Sequence, residues 1–323
     1  MVWYFGRVLG WAVMASLVAS QTVEWVDVAP GVRQSVTLSG HLDAGVLLMP
    51  NPGFGVPVEA VTGARWEDVF RVARYDPPGI GGTALMPGVV APVDVGVAMA
   101  EHVCDGHGPV TVVGFSSAAN LALRIAAEAR AGCVNAVVAV AGAYDVDAQM
   151  RHNEAWLDAA LPWWPKPADR GLRLLLQVGL TDVLGGNNVR CGARRAGVEV
   201  RGSFCTHGGV SQIARALWQR AWRPLGTVFL AQLGLTMTAD VGRYVDMDLP
   251  ASLETPVLAV HGRWDRLFDV DIARAALERV PNACAHRFVL LNASSHNVDD
   301  DDPVALERLV VDAATPRSCQ DPL

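Results

Sequence analysis

The chain has 323 residues, 51% of them hydrophobic and 18% charged, with a mean hydropathy of +0.25 and a formal net charge of −7. That length and apolar content suit one large α/β domain with an insertion, or two smaller domains. The acidic balance, with no stretch of Lys and Arg interleaved with aromatics, argues against a nucleic-acid partner.

In chain order, residues 1–20 are apolar apart from Arg7. The run Val8 to Ala19 has the length of a signal-peptide core, and Val18-Ala19-Ser20 offers small residues before a cut. It is short for a spanning helix, which needs roughly 20 clean residues. Secretion or membrane anchoring is therefore expected, with any membrane association confined to this segment and a cytoplasmic location as the fallback. Thr22 to Val28 and Arg33 to Leu38 alternate as a hairpin would, joined at Pro30-Gly31. Val46 to Met49 is continuously apolar, as a strand buried on both faces should be. A short helical stretch at Trp66 to Phe70, a strand at Arg71 to Tyr75 and a helix near Val93 to Val103 follow.

The run Val110-Thr111-Val112-Val113 predicts a strand that stops at Gly114, and a helix-favouring run begins near Leu121. Between them lies Gly114-x-Ser116-x-Ala118, the pattern of a strand-to-helix turn so sharp that only small residues flank the serine. Such a turn lifts the serine oxygen clear of the sheet and aims the first helical N–H groups at whatever it attacks. Ser117 does not fit the pattern, because its flanking positions would be Phe115 and Ala119.

Asn135 to Ala141 reads as a further buried strand, so strands alternate with helices as in a doubly wound parallel sheet. From residue 146 to 250 the character changes. Trp156, Trp163, Trp164, Trp218 and Trp222 concentrate there among prolines, and residues 211–222 and 226–235 look helical. A mainly helical cap is expected over 146–250, with the core formed by 21–145 and 251–314. The sheet pattern resumes at Val257 to Gly262 and at Arg287 to Leu291, before a helix from Pro303 to Ala314 and a loose tail from 315.

A serine hydroxyl is a poor nucleophile unless a histidine takes its proton and a carboxylate orients that histidine. Asp265 follows the strand ending at Gly262, and His296 follows the strand ending at Leu291. The order Ser116, Asp265, His296 is the one this architecture uses. Asp182 with His207 forms a competing acid–base run, but choosing it leaves the last part of the chain without a role.

Taken together, several ordered blocks resemble the α/β-hydrolase superfamily, in its branch with a cap between the sixth and seventh strands. They are Pro52-Gly53-Phe54-Gly55, Asp76-Pro77-Pro78-Gly79, Gly114 to Ala118, Pro256 to Asp265, and His296 with Pro303. The resemblance implies an α/β-hydrolase fold over residues 22–314. It also implies an oxyanion hole made by the N–H groups of Ser117 and Phe54. This sequence departs from the family at Pro52-Gly53, where His-Gly is usual, so Gly53 and Gly55 stay open as donors.

The expected activity is that of a serine hydrolase cleaving a small, largely apolar ester or thioester through an acyl-enzyme. Its partner is a small acyl substrate, and no cofactor or metal is implied. Two alternatives stand beside it: a carbon–carbon bond hydrolase or lyase on the same residues, and a ligand-binding protein with little turnover. The six cysteines form no metal-binding spacing and are read as scattered thiols, with disulfides permitted if the chain is exported. His261 is expected to pack at a strand end, and the remaining histidines to lie in turns or on helix surfaces. Asp299 to Asp302 is expected to be a solvated acidic run opening a helix. Asp76 is expected to hold the Pro-Pro-Gly turn.

Overall fold

The computed structural model describes residues 21–41, 45–51, 66–77, 90–164, 249–265, 267–284, 286–296 and 298–315, with 166, 173 and 177. Strand β1 (Thr22–Ala29) and strand β2 (Val32–Gly40) form the expected antiparallel hairpin, turning at Gly31 with φ of 75°. Strand β3 (Val46–Pro50) and strand β4 (Arg71–Tyr75) follow, with one 3-10 turn at Trp66–Asp68 just before β4. Helix α1 (Pro92–His107) leads to β5 (Val110–Phe115), helix α2 (Ser117–Glu128), β6 (Val134–Val140) and helix α3 (Val146–Ala160). Beyond residue 249 come β7 (Val257–Gly262), α4 (Val270–Glu278), β8 (His286–Leu291), the short α5 (Val298–Asp301) and α6 (Pro303–Ala314).

The eight strands form one sheet in the order β1-β2-β4-β3-β5-β6-β7-β8. Every pairing from β4 to β8 is parallel, and the hairpin joins its β4 edge in antiparallel fashion. The central strands read as unbroken apolar runs because alternate residues feed two different cores. Leu48, Val112, Val137 and Ala259 pack in one cluster with Met99, Leu121 and Ile125 of α1 and α2. On the other face, Leu47, Val113, Val138 and Leu258 pack with Leu306 and Val310 of α6. Each of those strand side chains is at most 2% exposed.

Several expectations change. Helix α2 begins at Ser117, directly after Ser116, rather than near Leu121, because the sharp turn lets the chain enter the helix without a linker. Helix α1 is longer than the expected 93–103, α3 opens the segment expected to be mainly helical, and α4 has no counterpart among the expected elements. The thiols are not all free: Cys104 of α1 and Cys133, just before β6, form a disulfide with Cα atoms 5.4 Å apart. Cys284 is disulfide-bonded as well, and no described cysteine is free.

Asp299 and Asp301 are not solvated but only 5% and 8% exposed. His102 and His107 both bond Glu24 of β1, at 2.9 and 3.3 Å. His286 lies on β8, not in a turn or on a helix, and bonds Asn282 and the Val280 carbonyl. No described helix is long and apolar enough to cross a membrane. Residues 1–20, helices expected at 211–222 and 226–235, and most of the expected cap and tail lie outside the described residues.

Candidate active site

The site forms at the carboxyl ends of the parallel strands, where the crevice of such a sheet opens. Ser116 is the residue between β5 and α2, and its backbone sits at φ 54°, ψ −119°. A positive φ is costly for a side chain with a Cβ and persists only when its surroundings hold it. Here the Ser116 N–H donates to the Val140 carbonyl at 2.8 Å, and the Ser116 carbonyl accepts from Ala119 at 3.0 Å. Gly114 is required for the same turn: a Cβ there would run into the Ala118 carbonyl and the Ala122 methyl.

Asp265 is the third residue past β7, and His296 is the fifth past β8. The His296 ring joins the two others, with Nδ1 2.9 Å from Asp265 Oδ2 and Nε2 3.0 Å from Ser116 Oγ. A carboxylate only accepts, so Nδ1 carries the ring proton and Nε2 presents its lone pair to the serine hydroxyl. The other carboxylate oxygen, Oδ1, accepts the N–H groups of Leu267 and Phe268, both at 2.9 Å. The Asp265 side chain is fully buried and that of His296 is 11% exposed, so this chain of bonds runs from the interior to a half-buried serine. Phe268 packs edge-on against the His296 ring, with centroids 5.1 Å apart.

The two loops that carry acid and base are built against each other. Gly262 ends β7 where a Cβ would strike the Ser295 and Ser294 carbonyls, so only glycine lets the loops meet. The Trp264 N–H donates to the Ser294 carbonyl at 3.0 Å. Ser295, next to His296, donates both its N–H (2.7 Å) and its hydroxyl (2.6 Å) to Asp301 Oδ2. The acidic run after the histidine therefore includes a buried acceptor that ties down the histidine loop.

Neighbouring polar residues have plainer parts. His261 is fully buried and donates Nε2–H to the Gly142 carbonyl at 3.0 Å. Burial holds its imidazole below the usual histidine range, although Asp265 lies nearby and opposes that. It packs face to face with Phe288, centroids 5.6 Å apart, as a strand-end histidine should. Asp269 caps α4 by accepting from Asp271 and Ile272, each at 3.1 Å. Asp76 accepts from Asn51 at 2.6 Å, while the Pro-Pro-Gly turn beyond Pro77 lies outside the described residues. Of the expected oxyanion donors, Ser117 opens α2 immediately after Ser116, while Phe54, with Gly53 and Gly55, lies outside the described residues. Asp182 and His207 lie outside them too. Among the described residues, no group of three or more His, Cys, Asp or Glu is placed to hold a metal ion.

Sequence reasoning missed Asp301, Gln149 and Asn153, all buried polar residues around this site. The spacing of Gln149 and Asn153, four apart on one helical face among apolar neighbours, is a signal that could have found them. Asp301 had no comparable signal inside a run of four aspartates.

No protein-family model matches the chain, and no curated protein matches it. Solved structures do. The chain is similar to a 2-hydroxy-6-oxo-6-phenylhexa-2,4-dienoate hydrolase from a Rhodococcus strain, with TM-score 0.58 and 13% identity, covering 91% of this chain and 99% of that one. It is similar to a meta-cleavage product hydrolase from Pseudomonas fluorescens, with TM-score 0.58, 17% identity, and coverage of 90% and 96%. A proline iminopeptidase from Mycobacterium smegmatis aligns with TM-score 0.54, 17% identity, and coverage of 91% and 97%. At these identities the likeness is one of fold. The fold is that of the α/β-hydrolases.

Proposed function

We propose that this protein is a serine hydrolase that cleaves a small, largely apolar ester or thioester through an acyl-enzyme. The observation that carries the reading is the unbroken chain of hydrogen bonds Ser116–His296–Asp265, with the serine on a strained turn at a helix start. In this reading Ser116 Oγ attacks the carbonyl carbon while His296 Nε2 takes its proton. The oxyanion forms against the N–H of Ser117 and a second donor from the loop after β3, for which Phe54 is the proposed residue. Asp265 keeps the ring in the tautomer that can accept and stabilises the imidazolium that results. His296 returns the proton to the leaving group, and water releases the acyl group by the same steps in reverse. The steric distinction between Ser116 and Ser117 supports the choice of nucleophile, because Gly114 and Ala118 are the residues at the close contact.

A fluorophosphonate probe on the intact protein tests this. Labelling at Ser116 at neutral pH is expected, together with a loss of at least ~10⁴-fold in esterase kcat for Ser116→Ala. An unlabelled Ser116 would sink the hydrolase reading in favour of a ligand-binding role.

A second reading is cleavage of a carbon–carbon bond on the same residues. It draws support from the Rhodococcus hydrolase, whose name gives a substrate with a 6-oxo ketone and no ester. A panel of acyl esters and vinylogous diketones of graded size separates the two by kcat/KM.

We also infer that the chain matures in an oxidising compartment, in keeping with the expected export signal. The Cys104–Cys133 disulfide supports this, since such bonds are rare in reducing cytosol. Peptide mapping of native protein without reductant should recover the linked peptides; free thiols at both positions would overturn it.

A further inference from the structure

The loop from Asp265 to Asp269 is held by a helix that contributes nothing to the Ser116–His296–Asp265 chain. Helix α3 places Gln149 and Asn153, 1% and 2% exposed, against that loop across more than a hundred residues of sequence. The Gln149 amide bonds one residue twice: Nε2 donates to the Asp269 carbonyl at 2.9 Å, and Oε1 accepts the Asp269 N–H at 2.7 Å. Asn153 Nδ2 donates to the Leu267 carbonyl at 2.8 Å. A backbone N–H only donates and a carbonyl only accepts, so these amide orientations are unambiguous.

Together with the bonds from Leu267 and Phe268 to Asp265 Oδ1, the arrangement leaves the loop little freedom. Its N–H groups at 267 and 268 face inward to the carboxylate, and its carbonyls at 267 and 269 face outward to α3. Helix α3 is itself anchored at its start, where Asp145 accepts from Ala148 at 2.9 Å and pairs with Arg279 at 2.8 Å. Burying two primary amides is unfavourable unless each finds partners, and these two find them in backbone groups of the loop that would otherwise lose theirs. What the amides add is direction.

We propose that Gln149, assisted by Asn153, is a positioning residue that sets the orientation of the Asp265 carboxylate and, through Phe268, the wall beside the His296 ring. The proposal rests on the hydrolase reading above, in that orientation matters for proton transfer. Loosening the loop lets Oδ2 drift from Nδ1, and a misplacement of about 1 Å can cost about 100-fold in rate.

The test uses the full chain and three variants: Gln149→Met, which keeps the volume and removes both bonds; Gln149→Glu, which keeps the Asp269 N–H bond; and Asn153→Leu. Two readouts are taken on folded protein. The first is the rate of fluorophosphonate labelling of Ser116, with kcat and KM on a short ester. The second is the far-downfield proton resonance of His296 Nδ1–H bonded to Asp265, which needs no substrate.

Gln149→Met is expected to label about 10- to 100-fold more slowly, with KM within about twofold and the resonance shifted upfield or broadened. Gln149→Glu should fall between it and the parent. Where the methionine variant does not fold, the glutamate and Asn153→Leu variants make the same comparison. Parent-like labelling and an unmoved resonance in folded variants, even with lowered stability, would overturn the proposal. A parent protein that is not labelled at all refutes the hydrolase reading alone, since the resonance still reports whether Gln149 holds Asp265.

Discussion

At the scale of single residues, the site depends on groups whose chemistry is ordinary and whose surroundings are not. Ser116 carries its hydroxyl on a left-handed backbone that no serine prefers, held by bonds to Val140 and Ala119. Asp301 illustrates how a residue that reads as surface charge can serve the interior. It accepts two bonds from Ser295, and charge-assisted bonds of this kind are about twice as strong as neutral ones. Asp301→Ala should cost about 1–3 kcal/mol of stability, because the Ser295 N–H and hydroxyl would lose the charged acceptor they share. Urea unfolding measures that cost. If Asp301 also steadies His296, labelling of Ser116 slows in the same variant while the protein is still fully folded; unchanged labelling would confine Asp301 to the fold.

At the scale of elements, most boundaries follow from local patterns, and the exceptions are instructive. The hairpin β1–β2 announces itself by alternation and by Pro30-Gly31, and both signals survive because a half-exposed antiparallel pair obeys period two. Helix α3 is legible only as part of the expected helical segment, because polar and apolar residues mix along it and two of its polar residues face inward. The link between α1 and β6 was also hidden, since cysteine pairing cannot be read from spacing. The Cys104–Cys133 bond closes a separation of 29 residues. By the chain-entropy estimate its loss destabilises by roughly 3–4 kcal/mol. Thermal unfolding with and without reductant, compared with a Cys104→Ser/Cys133→Ser double variant, measures it. No difference between the oxidised parent and the double variant would mean that the cross-link adds nothing to the folded state.

At the scale of the whole molecule, the sheet order explains why residues separated by 180 positions meet. Strands β5, β7 and β8 all run parallel, so the loops that follow them open at the same edge. Crossovers through helices return the chain to the start of the next parallel strand, so each following loop lies at the same carboxyl edge. The two cores, one on each face, make the sheet a rigid platform. Loops on its rim can then carry a strained serine and a buried carboxylate without the fold giving way. Among the described residues the site's rigidity comes from this platform and from buried polar ties to α3 and α5.

By itself, the amino-acid sequence determined the strand and helix alternation, the turn at Gly114 to Ala118 and the order Ser116, Asp265, His296. These are legible because sheet burial, turn sterics and chain order are written in residue type and spacing. Only the tertiary structure decided that the Ser116, His296 and Asp265 side chains meet at hydrogen-bond distance, that Asp299 and Asp301 turn inward, and that Cys104 finds Cys133. It alone brought Gln149 and Asn153 to the Asp265 loop. The physical reason is common to all of these: a hydrogen bond or a disulfide depends on where two distant backbones are placed. Nothing in the local pattern around either partner specifies the other.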